Sequence, residues 1–221
     1  MKLKEHRFEG IYTDGKRLFT KSIAPGHRPF DERVMKDEGI EYRQWDARKS
    51  KLAAAILKGV KEIGLMPGQT VLYLGCSHGY TPSFVSDILG KDGFMFALDF
   101  APRVVRDMVF VSEKRKNIAP IIADANHPES YFYQTGIVDY IYQDIAQKNQ
   151  AEIFLKNVDM FLKQGGLAFI AVKSRSVDIT KKPRTVFEEV RRKLEKELEI
   201  IDYRELEPFE MDHCIFVCRK K

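Results

Sequence analysis

Short apolar runs alternate with amphipathic stretches along most of the chain. Residues 71–74 are apolar without a polar break, which predicts a strand buried on both faces, as in a parallel sheet. A helical pattern follows over residues 82–89 and ends at Gly90. Further predicted strands cover residues 94–98, 118–122, 138–142, 167–172, 200–204 and 214–218. Three further helices are predicted. One starts at Pro102, a second runs through residues 153–162 and stops at Gly165-Gly166, and a third covers residues 183–198. This alternation predicts a doubly wound α/β sheet.

The first 47 residues have a different pattern. Two strand-like runs, residues 8–13 and 16–20, flank Asp14-Gly15, which is a strong signal for a two-residue hairpin turn. We therefore predict a small N-terminal β-rich subdomain over residues 1–47, with too few apolar residues for an independent core.

A larger domain is predicted over residues 48–221. A helix over residues 48–63 opens it, because apolar positions recur there at three- and four-residue spacing. Ser50 falls in the cap or the first turn of this helix. Lys51 borders the apolar stripe, where a lysine commonly buries its stem and keeps its charge in water.

The composition narrows the class of protein. With 221 residues, 44% of them hydrophobic, the chain can bury a core, and no apolar run reaches membrane-spanning length. Its first residues show no apolar segment typical of a secretory signal. Cys76, Cys214 and Cys218 form no Cys-x-x-Cys pair, which predicts reduced thiols, a cytoplasmic protein and no metal site.

The positive charge is concentrated near the start of the chain. The net charge is +5, yet residues 1–61 hold fifteen Lys and Arg against nine Asp and Glu, so the remainder is nearly neutral. A locally basic surface attracts polyanions, with nucleic acid the commonest candidate. A soluble basic face with no such partner gives the same count.

A glycine-containing turn joins the first predicted strand of the larger domain to its helix. Gly75 and Gly79 are spaced as Gly-x-x-x-Gly, which is neither the dinucleotide fingerprint nor a phosphate-binding loop. Missing Cβ atoms allow a ligand to approach the backbone, and the helix start offers free N–H groups. The same residues also suit an ordinary tight turn.

One aspartate follows each of the next three predicted strands. Asp99, Asp124 and Asp144 lie at strand carboxyl ends, where open parallel sheets bind ligands. Asp99 can accept both ribose hydroxyls, Asp124 an adenine amine beside the Phe100 ring, and Asp144 can face a cationic centre. Each aspartate alone is common in loops and caps. Together they describe S-adenosylmethionine, which lacks a pyrophosphate, and they fit a nicotinamide dinucleotide less well.

Several segments then resemble the motifs of the fibrillarin family. They include Tyr-Arg-x-Trp at residues 42–45 and Tyr-Gln-Asp-Ile-Ala-Gln at residues 142–147. The others are residues 48–56, 71–75, 102–103, 149–152, 173–176 and 206–213. They follow the family's order over almost the whole chain, and the lack of a Gly/Arg-rich tail indicates the archaeal type.

The resemblance implies a Rossmann-like S-adenosylmethionine-dependent methyltransferase fold. It implies an RNA 2′-O-methyltransferase that modifies ribose hydroxyls of rRNA and tRNA within a C/D guide ribonucleoprotein. The implied partners are guide RNA, target RNA, a Nop-family scaffold protein and a kink-turn-binding ribosomal-type protein.

The family's functional residues fall on definite positions of this chain. The implied catalytic set is Lys51, Asp144, Lys173 and His213. The implied cofactor contacts are Gly75, Tyr80, Thr81, Asp99, Phe100, Asp124, Ala125, Asp144, Ile145, Ala146 and Gln147. Contacts to RNA phosphate and ribose are expected from Arg48, Lys49 and Arg175, besides the two catalytic lysines.

Two positions depart from the family pattern. Tyr80 stands where a threonine is usual, and Asp99 replaces the usual glutamate, which shortens its reach to the ribose.

The four catalytic positions are unchanged and suit an in-line displacement. Asp144 is expected to orient or deprotonate the hydroxyl and Lys173 to lower its pKa, with Lys51 and His213 positioning the ribose and the carboxylate. The final proton acceptor stays open.

Two other functions are compatible with the same pattern. A small-molecule O-methyltransferase on the same fold would act without RNA. A non-catalytic RNA-binding subunit would keep the cofactor pocket without turnover.

Overall fold

The computed structural model describes residues 3–221, and its N-terminal region is a five-stranded antiparallel sheet. The strands are β1 (Lys4–Glu5), β2 (Ile11–Thr13), β3 (Leu18–Lys21), β4 (Val34–Asp37) and β5 (Ile40–Trp45), in the order β1-β2-β3-β5-β4. The β-rich character predicted for this region is confirmed.

The predicted hairpin is present, with a longer loop than expected. Thr13 pairs with Leu18, so residues 14–17 form a four-residue connection. Asp14 Oδ1 accepts the backbone N–H groups of Lys16 and Arg17 at 2.9 and 2.8 Å, which closes the loop without a two-residue turn.

Helix α1 (Lys51–Leu57) follows β5, and it is much shorter than the predicted helix over residues 48–63. Ser50 is its N-cap and accepts the backbone N–H of Ala53 at 3.4 Å. Gly59, with φ of +75°, ends the helical path, although Val60 and Ile63 are still buried. Burial at a helix-like spacing therefore misled the prediction.

The larger region is a seven-stranded sheet with helices on both faces. Its elements are β6 (Thr70–Leu74), α2 (Tyr80–Leu89), β7 (Phe94–Asp99), α3 (Pro102–Lys114), β8 (Ile118–Ile122), α4 (Phe132–Thr135), β9 (Val138–Gln143), α5 (Gln150–Phe161), β10 (Leu162–Lys173), α6 (Ser174–Val177), α7 (Pro183–Glu195), β11 (Leu198–Glu205) and β12 (His213–Lys220). The strand order is β11-β12-β10-β9-β6-β7-β8, which confirms the predicted α/β class.

The strand order reverses between β6 and β9. From β6 the chain builds outward through β7 and β8, then returns to place β9 and β10 on the other side. These five strands are parallel, whereas β12 is antiparallel to β10 and β11. A switch point of this kind opens a crevice at the carboxyl ends of the strands.

The predicted stop at Gly165-Gly166 of the helix through residues 153–162 is wrong. Helix α5 ends at Phe161, and both glycines lie inside β10, where the pairing with β9 is irregular. Glycine within a strand commonly marks such an irregularity.

The two sheets share one core. Trp45 of β5 stacks on Phe84 of α2, with ring centroids 5.3 Å apart. The only separate cluster of the N-terminal sheet within residues 3–221 is centred on Leu3, Phe19 and Tyr42. The N-terminal sheet therefore depends on α1 and α2 for most of its apolar packing.

A buried ionic network crosses the same interface. Asp87 of α2 accepts from Arg43 of β5 at 2.7 Å and from Arg115 at 2.5 Å. Arg43 also donates to Glu32 at 2.5 Å, and Thr20 Oγ1 donates to Asp87 at 2.7 Å. The side chains of Arg43, Asp87 and Arg115 are fully buried, so each charge depends on its partners.

Within residues 3–221, no helix is both long enough and apolar enough to cross a membrane.

Candidate active site

The glycine turn after β6 brings two strand ends together. Gly75 has φ of +84°, and a Cβ there would lie 2.3 Å from the backbone oxygen of Asp144. The sequence suggested that this glycine leaves room for a ligand. The structure shows that the room is taken by the main chain after β9, so glycine at this position sets where Asp144 lies.

Three carboxylates line one open crevice at the switch point. It is open to solvent, and its cavity volume is about 160 Å³. Nine of the predicted cofactor residues line it: Gly75, Asp99, Phe100, Asp124, Ala125, Asp144, Ile145, Ala146 and Gln147. Phe100 is 65% exposed at the rim, where an aromatic face is available to a planar ring.

Asp99 is held by the backbone at the floor of this crevice. One carboxylate oxygen accepts the N–H of Ser77 at 3.0 Å, and the other accepts the N–H of Ala101 at 3.1 Å. These bonds fix the carboxylate at the end of β7, next to the glycine turn. Its short side chain is therefore oriented before any ligand arrives.

Asp124 belongs to a small polar network just after β8, the strand next to β7. Hydrogen bonds from the backbone and side chain of Asn126 hold the pKa of Asp124 below its usual value. Asn126 also donates to Gln147 at 3.1 Å and accepts from Asn149 at 2.7 Å. The loops after β8 and β9 are thus tied together where an adenine is expected.

A lysine and a carboxylate from distant parts of the chain meet beside the crevice. Lys51 Nζ donates to Asp144 Oδ2 at 2.9 Å across 93 positions of sequence. Burial alone would lower the pKa of Lys51, but the charge of Asp144 and its hydrogen bond outweigh burial, so the pKa is raised. Lys51 is therefore an ammonium at neutral pH.

His213 lies at the start of β12, directly opposite Lys173 in the β10–β12 pairing. Burial lowers the pKa of His213, and the nearby charge of Lys51 lowers it further. The hydrogen bond to the Met211 carbonyl and the neighbouring carboxylates raise the pKa, but by less. Its Nδ1 lies 2.6 Å from the oxygen of Met211. A carbonyl only accepts, so Nδ1 carries the proton and Nε2 of the neutral ring has none.

Lys173 ends β10, between the strand that leads to Asp144 and the strand that starts at His213. Its side chain is exposed. Its neighbours Ser174 and Arg175 both bind Asp212, through a backbone contact of 3.0 Å and an ion pair of 3.0 Å. Arg175 therefore steadies the loop before His213, while Arg48 and Lys49 are exposed at the turn before α1.

Two predicted cofactor residues lie outside the crevice lining. The hydroxyl of Thr81 donates to Ser50 at 3.0 Å, and the Tyr80 ring lies against Phe30 and Phe84. Both side chains therefore face the N-terminal sheet and the start of α1. Tyr80 and Thr81 follow the glycine turn in sequence, but the helix start turns them away from it.

Sequence reasoning missed several residues that shape the site. Ser77 lines the crevice, and the buried pair Gln143 and Gln150 links the strand ends, because Gln143 donates to the Gln150 carbonyl at 2.6 Å. Gln150 in turn donates to the carbonyl of Lys173 at 3.4 Å. The available signal was an uncharged polar residue at the end of an otherwise apolar strand.

A parallel sheet with its switch point beside a glycine turn and successive strand-end carboxylates defines the Rossmann-like S-adenosylmethionine-dependent methyltransferase fold. The family model described as fibrillarin matches residues 3–221. This chain belongs to the fibrillarin family.

Relatives of known name match over nearly their full length. A fibrillarin-like rRNA/tRNA 2′-O-methyltransferase of Thermococcus gammatolerans is 49% identical over 225 residues, covering 100% of both chains. The structure of Aeropyrum pernix fibrillarin with natively bound S-adenosyl-L-methionine has a TM-score of 0.91 at 41% identity, covering 99% of this chain and 98% of that one. A fibrillarin/Nop5p complex has a TM-score of 0.89 at 35% identity, covering 98% and 100%.

Proposed function

We propose that this chain is an S-adenosylmethionine-dependent RNA 2′-O-methyltransferase that modifies ribose hydroxyls of rRNA and tRNA. The observation that carries the proposal is the Lys51–Asp144 ion pair at the mouth of a carboxylate-lined crevice, with His213 and Lys173 at the adjacent strand ends. Relatives that match the whole chain are named for this reaction, and one solved relative holds the cofactor.

The residues of the crevice fit this cofactor. Asp99 is oriented for ribose hydroxyls, Asp124 and the Phe100 ring suit adenine, and Asp144 suits the cationic centre. S-adenosylmethionine, when bound, supplies an electrophilic methyl group on a sulfonium sulfur. Everything else in the reaction falls to the chain.

Positioning and charge are the main contributions of the four proposed catalytic residues. Lys51 holds the Asp144 carboxylate in one orientation, so Asp144 can accept a hydrogen bond from the 2′-hydroxyl. Lys173 places an ammonium where negative charge develops on the attacking oxygen. Lys51 keeps its proton at neutral pH, which leaves Asp144 and the bare Nε2 of His213 as proton acceptors.

The proposal extends to the assembly. A Nop-family scaffold is supported by the relative solved with Nop5p. Guide RNA that selects the target by base pairing, and a kink-turn-binding protein, complete the proposed particle. The exposed Arg48 and Lys49 supply sequence-independent phosphate contacts near the site. The cytoplasmic location stays a prediction.

Reconstitution tests the function directly. The chain is combined with a Nop-type scaffold, a kink-turn-binding protein, a C/D guide and a matching target, and transfer of labelled methyl from the cofactor is followed. We expect label at a single ribose and none when the guide is omitted. Transfer to catechol-like acceptors without RNA would favour a small-molecule enzyme, and cofactor binding without transfer in the full particle would favour a non-catalytic subunit.

The pH dependence of transfer is expected to report His213. Its pKa is lowered from the ordinary 6.5, so the ring stays neutral down to a pH below that value. Protonation at lower pH places a second cation beside Lys51 and removes the free Nε2. The single-turnover rate should therefore fall as the pH drops through an apparent pKa below 6.5, and His213→Gln should remove this acidic limb.

His6→Gln is the matched control. Burial also lowers the pKa of His6, but this histidine lies in the N-terminal region, outside the proposed site. Its profile should keep the wild-type limb. An acidic limb that persists unchanged in His213→Gln would contradict the assignment.

A further inference from the structure

The side chain of Tyr80 lies outside the cofactor crevice and contacts the turn that precedes Lys51. We propose that Tyr80 is a positioning residue for methyl transfer, which fixes the turn over residues 46–50 and thereby the placement of Lys51 against Asp144. This inference rests on the proposed function, and its test separates the two.

The phenol ring of Tyr80 is clamped from two sides. Its centroid lies 5.3 Å from that of Phe30 in an edge-on arrangement and 5.2 Å from that of Phe84. Phe84 is fully buried in the shared core, so one side of the clamp belongs to the close-packed interior. The ring is therefore held in a single orientation that aims its hydroxyl at the end of β5.

That hydroxyl makes a specific contact. It accepts the backbone N–H of Asp46, the first residue after β5, at 3.1 Å. Burial raises the pKa of Tyr80 to about 12, so the phenol keeps its proton at neutral pH and stays a neutral acceptor. The Asp46 N–H would otherwise need water as its partner.

The turn that starts at Asp46 is short and internally bonded. The carbonyl of Asp46 accepts the N–H of Lys49 at 3.1 Å, and its carboxylate accepts the N–H of Arg48 at 2.9 Å. The turn ends at Ser50, the N-cap of α1, and the next residue is Lys51. A displacement at Asp46 is thus passed over five positions to the lysine that holds Asp144.

The two ends of the turn are fixed by consecutive residues of α2. Tyr80 holds the start through Asp46, and Thr81 holds the end through its hydroxyl bond to Ser50. The Lys49 ammonium also lies 5.8 Å from the centroid of the Tyr80 ring, within the range of a cation–π contact. Tyr80 therefore touches the turn at two points and Thr81 at one.

The glycine turn of the crevice ends at Gly79, immediately before these two residues. The first turn of α2 consequently joins the cofactor side of the site to the lysine side. Tyr80 acts through Lys51, since the phenol itself does not line the crevice.

Single-turnover transfer in the reconstituted particle measures the role of Tyr80. Tyr80→Phe keeps the ring and removes the acceptor, and we expect the rate to fall about fivefold, as for loss of one neutral hydrogen bond. Tyr80→Leu removes the clamp as well, and a misplaced lysine is expected to cost on the order of 10²-fold. Cofactor affinity by calorimetry should stay within about twofold of wild type in both variants, because the crevice is untouched.

Tyr203→Phe is the matched control. Tyr203 lies on edge strand β11, its ring contacts Phe216 at 5.0 Å, and its hydroxyl makes one hydrogen bond of 3.3 Å to Glu205. Its removal should leave the transfer rate unchanged. A double-mutant cycle supplies the decisive comparison, because Tyr80→Phe should have almost no further effect in a Lys51→Ala background.

A measurement on the free chain is independent of turnover. Titration of the Lys51 amine by NMR should give a raised pKa in wild type and a value nearer that of an ordinary lysine in Tyr80→Leu. Unchanged Lys51 titration in Tyr80→Leu, or fully additive rates in the cycle, would overturn the positioning role. If wild-type particles transfer no methyl group but the Lys51 titration still shifts in Tyr80→Leu, the proposed function is rejected and the positioning role of Tyr80 stands.

Discussion

Replacing Lys173 with alanine is expected to slow single-turnover methyl transfer by about 10²–10³-fold in the reconstituted particle. Lys173 ends the strand between the elements that carry Asp144 and His213, and it does not line the cofactor crevice. In the proposed mechanism, its ammonium stabilises charge that develops only as the hydroxyl attacks. Cofactor affinity, measured by calorimetry, should remain within about twofold of wild type.

Lys163→Ala is the matched control for this experiment. Lys163 lies near the other end of the same strand and forms an ion pair with Asp139 at 2.7 Å, at the amino-terminal ends of β9 and β10. Its replacement should leave the transfer rate unchanged. A normal rate in Lys173→Ala, or a loss explained by weakened cofactor binding, would remove Lys173 from the chemistry.

Asp87→Asn is expected to lower the free energy of unfolding by about 3–5 kcal/mol, because it leaves the buried guanidinium groups of Arg43 and Arg115 without their shared counter-charge. The same carboxylate accepts from Thr20 and from the N–H of Ile23, so the N-terminal sheet loses its polar anchor on α2. For a chain of this length the melting temperature should drop by about 10 °C. Urea and thermal unfolding measure both quantities.

Glu195→Gln is the corresponding control at the surface. Glu195 pairs with Arg191 at 2.9 Å, one helical turn away, and both side chains are largely solvated. Exposed pairs of this kind contribute about 0–1 kcal/mol, so its unfolding midpoint should barely change. An Asp87→Asn variant as stable as wild type would show that the network contributes little net free energy.

The network and the active site are connected through α2. One end of this helix carries Asp87, and the other end carries Tyr80 and Thr81, which hold the turn before Lys51. If Tyr80 positions Lys51 as proposed, a change that loosens the N-terminal sheet from α2 is expected to affect the lysine side of the site as well. We expect Asp87→Asn to reduce transfer near its melting range, before the crevice itself is lost.

Sequence pattern was most informative where burial has a simple period. Uninterrupted apolar runs identified the parallel strands, and the polar residue after each run identified the crevice edge, because a strand buried on both faces exposes its first polar residue where it leaves the sheet. The pattern failed at the end of α1, because Val60 and Ile63 are buried although the helix has already ended before Gly59. Hydrophobic periodicity reports which residues are covered, and it does not report the backbone path that covers them.

The sequence by itself determined the α/β order, the basic N-terminal region, and the identity of the residues at the carboxyl ends of the strands. The tertiary structure alone decided that Lys51 pairs with Asp144, that Asp144 occupies the space beside Gly75, and that Tyr80 turns away from the crevice. The reason is physical: local sequence sets the preference of each segment, whereas the direction of a side chain depends on partners that only the folded chain brings within reach.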